Sequence, residues 1–285
     1  MKNLTYMERV ERKYELAISE ESLPALRHDI NQYLPTHEFT PGQAVTINNT
    51  LYFDNEDFLF LRNGLANKAD HARIRARKYE YDSTPSNGPA DYWIELRIRK
   101  GEIRKKQRLK LEKGDFQRLL EGREIDEKVL GYNQSYADSE RCKRLYREIQ
   151  DIIIEKALKP VLLVSYSRVA FERGDVRLTV DWDIRYRQAG PSVFHYKALR
   201  DLPEQPCGFE KNMVLELKYS GGSPPWVSGL QQKYPIRPRI FFSKLDGGMK
   251  ALLEGPLRSR PNSKSLLDMI SAYQTLERED LVGPS

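Results

Sequence analysis

The chain has 285 residues, 39% hydrophobic and 31% charged, which is enough apolar material for a sizeable core and too much charge for a membrane-embedded or low-complexity protein. Its longest apolar runs, such as Val161-Leu162-Leu163-Val164, fall far short of the roughly 18 residues a membrane helix needs, and no signal-type apolar stretch precedes Lys13. Cys142 and Cys207 form no CxxC pair, so a cytoplasmic α+β protein without a membrane span, disulfide framework or thiolate zinc site is expected, and the net charge of +6 favours a polyanionic partner.

In chain order, period-two alternation predicts a strand over 9–18, where Glu11 and Lys13 face away from Val10, Tyr14 and Leu16. A helix is expected over 20–34, with Leu23, Leu26, Ile30 and Leu34 on one face behind the capping residues Ser19 and Ser22. Strands follow over 45–53 and 73–80, the second setting Arg73, Arg75 and Arg77 against Ile74 and Ala76. Beyond a loop at 83–89, the strand over 92–99 sets Trp93, Glu95, Arg97 and Arg99 against Tyr92, Ile94, Leu96 and Ile98. That over 103–111 sets Arg104, Lys106, Arg108 and Lys110 against Ile103, Leu109 and Leu111. Helical spacing recurs at 114–121 and 138–158, the latter carrying Leu145, Ile149, Ile152 and Ile153. Strands over 161–172 and 175–184 come next, with Arg177, Thr179 and Asp181 opposed to Val176, Leu178 and Val180. Loops at 189–191, 203–208 and 220–225 separate these from strands over 213–219 and 237–242, and in the first of those Glu216 and Lys218 oppose Met213, Leu215 and Leu217. A helix over 245–254 closes the main domain, 8–254, and residues 255–285 read as a tail with a short helix over 263–278.

A half-buried antiparallel sheet with a solvated polar face accounts for any one of these strands. Six of them, however, share a polar face dominated by Arg and Lys, and a Glu recurs within two residues of a base: Glu11 with Lys13, Glu95 with Arg97, Glu216 with Lys218. If such strands close into a barrel with the charges inward, the apolar faces need the amphipathic helices as cover, and the lumen is stable chiefly with a polyanion and metal ions inside. A nucleic-acid partner explains the basicity but not the acid beside each basic pair, and is not expected. No GxxxxGK[ST] or GxGxxG occurs. His28, His37, His71 and His195 lack metal spacing and read as surface or structural residues, Trp226 as loop packing, and Tyr166 as packing with a hydrogen bond.

Glu11-Arg12-Lys13-Tyr14, Arg73-Ile74-Arg75-Ala76-Arg77, Glu95-Leu96-Arg97, Lys106-Gln107-Arg108, Tyr166-Ser167-Arg168, Arg177-Leu178-Thr179-Val180-Asp181, Glu216-Leu217-Lys218 and Ser243-Lys244 occur in the order of the VTC domain, which the chain resembles over most of residues 8–250. The resemblance implies a CYTH-like triphosphate-tunnel fold, an antiparallel barrel of about eight strands with helices packed outside. It implies an ATP-dependent polyphosphate polymerase with ATP and polyphosphate as partners and Mn²⁺ or Mg²⁺ as cofactor; whether a membrane partner exists stays open. Residue by residue, it implies Lys13, Arg75, Arg77 and Glu216 as catalytic groups. Lys13, Arg73, Arg75, Arg77, Arg97, Lys106, Arg108, Arg168, Arg177, Lys218 and Lys244 are the implied phosphate ligands. Glu216 is the implied metal ligand, with Glu11 and Glu95 as further carboxylates for it, and Glu11 reads equally well as the ion-pair partner of a base. Three departures stand out: Arg9 occupies the first position of the wider Glu-x-Glu-x-Lys signature, Arg97 replaces a lysine, and Arg239 substitutes for a basic residue missing from its usual spacing before Ser243. A triphosphate hydrolase of the same fold and a non-catalytic polyphosphate-binding module are the alternatives, because the choice of a polymerase rests on the resemblance alone.

Overall fold

The computed structural model describes residues 9–39, 41–67, 69–80, 92–101, 103–190, 193, 205–239 and 242–279. The loop read at 83–89, His195 and the end of the tail lie outside them, as do the side chains of Arg9 and Arg104. The strands are β1 (Arg9–Leu16), β2 (Thr36–His37), β3 (Val45–Asp54), β4 (Asp70–Glu80), β5 (Tyr92–Lys100), β6 (Ile103–Leu111), β7 (Lys159–Arg173), β8 (Val176–Gln188), β9 (Gly208–Phe209), β10 (Met213–Ser220) and β11 (Ile236–Pro238). The helices are α1 (Leu23–Asn31), α2 (Leu59–Ala66), α3 (Lys113–Leu120), α4 (Glu127–Asn133), α5 (Ser139–Glu155), α6 (Trp226–Lys233), α7 (Lys244–Glu254) and α8 (Ser263–Glu279). None of the described helices is long and apolar enough to cross a membrane.

The architecture is α+β, with the strands in the order β11-β1-β10-β8-β7-β3-β4-β5-β6, β2 on β7 and β9 on β8. This corrects the expected closed barrel of about eight strands. The described sheet has eleven strands in an open order; the strand read at 237–242 is the three-residue β11, with 240 and 241 outside the described residues, and β2 and β9 add pairings that a periodicity of two cannot reveal in two residues. The terminal strand β6 is guarded in the usual manner of sheet edges, by exposed Lys105, Lys106 and Arg108.

Two compact units share these strands. The first gathers the chain up to Ile47 with Tyr166–Ile184 and Phe209–Ser243. In it, Leu16, Val169, Phe171, Leu178, Val180, Leu215 and Leu217 form one apolar sheet face, covered by Leu23, Leu26 and Ile30 of α1 and Leu230 of α6. The second unit gathers Asn48–Ser165, Arg185–Gly208 and the chain from Lys244 onward. There Ile74, Ala76, Ile94, Leu96, Leu109 and Leu111 pack on Phe116 and Leu119 of α3, Val129 and Leu130 of α4, and Leu145, Ile149 and Ile153 of α5. Each unit therefore hides the apolar half of its alternating strands beneath helices and leaves the other half charged. Ile103, at the start of the edge strand, and Phe209 of β9 depart from this pattern, 71% and 74% exposed.

Helices α2, α4 and α6 escape the sequence reading for local reasons. The start of α2 is fixed by Asp54, whose carboxylate accepts from Phe60 N and Leu61 N at 2.9 and 3.0 Å across a left-handed Phe58. A cap so far upstream leaves no adjacent signature. α6 follows directly on the loop read at 220–225 and contains Gly229, a poor helix former, so no helix stands out there. α4 is only seven residues long, and its buried Asn133 holds it to the sheet. The Asn133 amide accepts from Lys110 N at 2.9 Å and donates to Lys110 O and Val129 O at 2.8 Å each, so it occupies backbone groups that β6 would otherwise leave unpaired. Replacing Asn133 with Ala strands those buried groups, and the expected cost is roughly 2–3 kcal/mol, read as a lower urea midpoint at unchanged slope.

Candidate functional site

In the first unit the register sets opposite charges directly across the strands. Lys13 of β1 faces Glu216 of β10, and Glu11 faces Lys218. Continuing onto β8, Glu216 faces Thr179 and Lys218 faces Arg177. The Lys218 ammonium lies 2.5 Å from Glu216 and 3.2 Å from Glu11, so two carboxylates converge on one cation. Lys13 stands 3.4 Å from the other oxygen of Glu11 and donates to Phe242 O at 2.9 Å. Burial opposes ionisation of Glu216, but Lys218 and then Arg168 outweigh it and hold the carboxyl below its usual range.

Arg168 makes a two-pronged contact with Asp181, Nε to Oδ1 at 2.5 Å and Nη2 to Oδ2 at 2.7 Å, above the ring of Tyr166. Burial works against its charge, and Asp181 overcomes that, so the guanidinium is held more firmly charged than an ordinary arginine. Arg177 reaches Glu172 at 3.1 Å, which also meets His37. Arg239 bonds to Glu210 at 2.8 Å and covers Phe242, so its charge is already matched. Between these groups the hydroxyl of Thr179 is buried with no hydrogen-bond partner among the described residues.

The second unit concentrates charge differently. Glu95 is fully buried, and Arg75 grips Oε2 through Nε at 2.6 Å and Nη2 at 2.5 Å. Lys106 lies 2.8 Å from Oε1 and Arg97 3.6 Å from Oε2. Burial would raise the Glu95 pKa, yet Arg75, Arg77 and Lys106 bring it down to about 2. Three cations against one carboxylate leave two positive charges in excess. Accordingly, partial burial and then the like charge of Arg75 lower Arg97, and burial lowers Lys106 in spite of Glu95. Arg77 donates to Thr50 at 3.2 Å. Burial alone would raise the phenols of Tyr52 and Tyr79, but Arg75, Arg77 and Arg73 around Tyr52, and Arg77 beside Tyr79, bring both below the ordinary tyrosine value.

The expected site residues thus fall into two groups. Glu11, Lys13, Glu216 and Lys218 come together with Arg168 nearby, and Arg75, Arg77, Glu95, Arg97 and Lys106 come together in the other unit. Arg73 runs toward α2, its Nη2 3.3 Å from where a side chain on Gly64 would start. Arg108 leaves Glu95 and lies over Trp93, and Lys244 opens α7. All three acid–base pairs read two residues apart form ion pairs. The sequence reading missed Tyr52, Tyr79 and Asp181 as electrostatic partners. Tyr52 was visible in principle, because alternation over 45–53 puts it with Thr50 opposite Leu51 and Phe53.

The VTC domain family model matches residues 8–253. Vacuolar transporter chaperone complex subunit 2 of Schizosaccharomyces pombe is 26% identical over 73% of this chain and 31% of its own length. Subunit 4 of the Trypanosoma brucei brucei complex is 28% identical over 75% and 29%, and subunit 4 of the S. pombe complex 25% identical over 78% and 34%. The chain therefore spans about a third of the length of the curated relatives it matches. Among solved structures, a candidate adenylate cyclase from Bacillus halodurans is 16% identical with a TM-score of 0.38, covering 80% of this chain and 87% of its own. A likeness that distant carries no functional inference.

The depressed Glu95 has a stability consequence with a definite sign. A carboxyl taken from about 4.5 to about 2 on folding adds stability above pH 4.5 that is lost as pH falls toward 2. Glu95→Gln is expected to cost roughly 3 kcal/mol at pH 7, where it leaves Arg75 without its partner. It should also flatten the loss of stability between pH 4.5 and 2, measured by denaturant melts across that window.

Proposed function

The chain belongs to the VTC domain family, and from that premise we propose that it is an ATP-dependent polyphosphate polymerase, transferring the terminal phosphoryl group of ATP to the end of a polyphosphate chain. The observation that carries the proposal is the surplus of cations gathered on a charged sheet face around the buried Glu95, a site made for a ligand with several closely spaced negative charges. In the reaction, a terminal phosphate oxygen of the chain forms a bond to the γ-phosphorus as the bond to the β–γ bridging oxygen breaks, and ADP departs. The acceptor is itself the nucleophile, so the protein's task is alignment and charge neutralisation.

Arg75, Arg77, Arg97 and Lys106 hold non-bridging oxygens in this reading, with Arg73 in support, and Glu95 keeps their heads in register. Lys13, Arg168, Arg177, Lys218 and Lys244 act as the further phosphate ligands, and the orphaned Thr179 hydroxyl is a donor available beside Glu216. Of the groups the family resemblance marks as catalytic, Lys13 and Glu216 belong to the first unit and Arg75 and Arg77 to the second.

Glu216 and Glu11 fit a divalent cation. They already converge on a single positive charge, Lys218 Nζ. That pattern suits Mn²⁺ or Mg²⁺ bound by one or two carboxylates and completed by phosphate oxygens and water. Such an ion would supply neutralisation of the charge that develops on the phosphates. Glu95 does not fit the role, because three cations surround it. The relatives named as subunits of a vacuolar transporter chaperone complex support a further reading, that this chain works beside other subunits.

The test incubates the protein with ATP and Mn²⁺ beside Glu216→Ala, resolves products on a gel stained for polyphosphate and assays free phosphate. A ladder in the wild type, reduced on the order of 100-fold or more in the variant, is expected. Free phosphate without a ladder would replace the polymerase with a hydrolase, and tripolyphosphate binding without either product would replace it with a binding module.

A further inference from the structure

The charged face of β4, β5 and β6 ends in aromatic rings. Trp93 lies on that face two residues before Glu95, opposite Arg77 of β4 and Lys110 of β6. Arg108 is directly opposite Glu95 in register, but its guanidinium does not join the cations around that carboxylate. Its central carbon lies 4.4 Å from the centre of the Trp93 ring and 6.0 Å from that of Tyr136. Tyr136 meets Trp93 edge-on, 5.0 Å between centroids at 87°. It stands in the turn after α4, three residues beyond the Asn133 that ties that helix to Lys110.

Two features distinguish this group from ordinary surface packing. Among the described residues Arg108 has no carboxylate partner, although Glu95 is its neighbour across the strands. Tyr136 is a large aromatic left 52% exposed beside it. A solvent-exposed guanidinium lying over an indole is a flat, permanently charged plate, and such plates, like aromatic faces, are surfaces on which nucleobases stack.

We propose that Trp93, Arg108 and Tyr136 form the platform on which the nucleobase of the triphosphate substrate stacks, with Arg108 between the indole and the base. This rests on the reading of the adjacent cations as the triphosphate site. From Trp93 to Arg97 the strand advances four residues, about 13 Å at ~3.3 Å each, the reach of a nucleotide from its base to its last phosphates. Arg108 is thereby reassigned from phosphate ligand to base support. The three groups offer faces rather than a pattern of donors and acceptors matched to one base, so the platform holds a base by area and is indifferent to which purine it holds.

The test measures binding of ATP, GTP and inorganic tripolyphosphate to the whole chain by calorimetry, following Trp fluorescence in parallel. Trp93→Ala and Arg108→Lys are compared with the wild type, and Trp93→Phe, which keeps a ring, guards against a folding defect. ATP and GTP are expected to bind the wild type with similar affinity. Both should weaken roughly 10-fold in Trp93→Ala and Arg108→Lys, with tripolyphosphate unchanged and Trp93→Phe near wild type. Arg108→Lys is informative because it keeps the charge and removes the plane. Equal weakening of all three ligands would make Arg108 a phosphate ligand and overturn the platform, as would unchanged ATP binding in both variants. In either case tripolyphosphate binding by the wild type leaves the phosphate site standing. A wild type that binds neither tripolyphosphate nor ATP would remove both readings together.

Discussion

The second unit is organised around one buried carboxylate. Four strand residues, Arg75, Glu95, Arg97 and Lys106, point toward the same space, and without Glu95 their three cations would be forced apart by mutual repulsion in a poorly solvated setting. With it, Arg75 is fixed by two short bonds and the others are held at graded distances of 2.8 and 3.6 Å. The arrangement costs desolvation of every member, and a well-packed apolar substitute would serve stability equally well. What it achieves is a rigid set of donors whose charge is only partly cancelled. The helices behind the sheet make this possible, because Ile94 and Leu96 flank Glu95 in sequence and anchor its strand to the core formed with α3, α4 and α5.

The first unit uses the same grammar to a different end. Glu11, Lys13, Glu216 and Lys218 alternate in sign along and across β1 and β10, so their charges sum to nearly nothing. Arg168 and Asp181 neutralise each other as closely. Positive surplus therefore belongs to the second unit, while the first offers paired carboxylates already arranged around a cation. In the proposed reading, the excess positive charge for phosphates and the carboxylates for a divalent ion would thus belong to different units, each with its own core.

Much of this was legible in the sequence because the strands are long and their two halves differ so sharply. Alternation located the eight longer strands within a few residues, and the stripes at Leu23, Leu26 and Ile30 and at Leu145, Ile149 and Ile153 gave the two best-defined helices. The acid two residues from a base was also readable, since period two places both on one face. Residues related only through the third dimension were not. The capping of α2 by Asp54, the displacement of Arg108 onto Trp93 and the short strands β2 and β9 all depend on what lies opposite, which periodicity does not encode. The closed barrel failed for the same reason: closure is a statement about which edges meet, and a pattern of faces says nothing about edges.

A site for a polymer must hold each phosphate firmly enough to align it and loosely enough to let it move on, and ion pairs within the protein bear directly on that balance. Lys218 between Glu11 and Glu216, and Lys106 against Glu95, have carboxylate partners within the protein. In the proposed reading an arriving phosphate would exchange one anionic partner for another instead of meeting a bare charge, so much of its Coulomb attraction would be offset by the loss of the internal pair. When it leaves, the cation returns to its carboxylate and no buried charge is stranded. The internal acids thus weaken ground-state binding while leaving the donors in place for the extra charge that develops on the transferring group, which is the direction in which rate, rather than affinity, is gained. For the proposed polymerase the acids beside the bases are then what allows a chain of like phosphates to pass over a strongly basic face without being trapped on it.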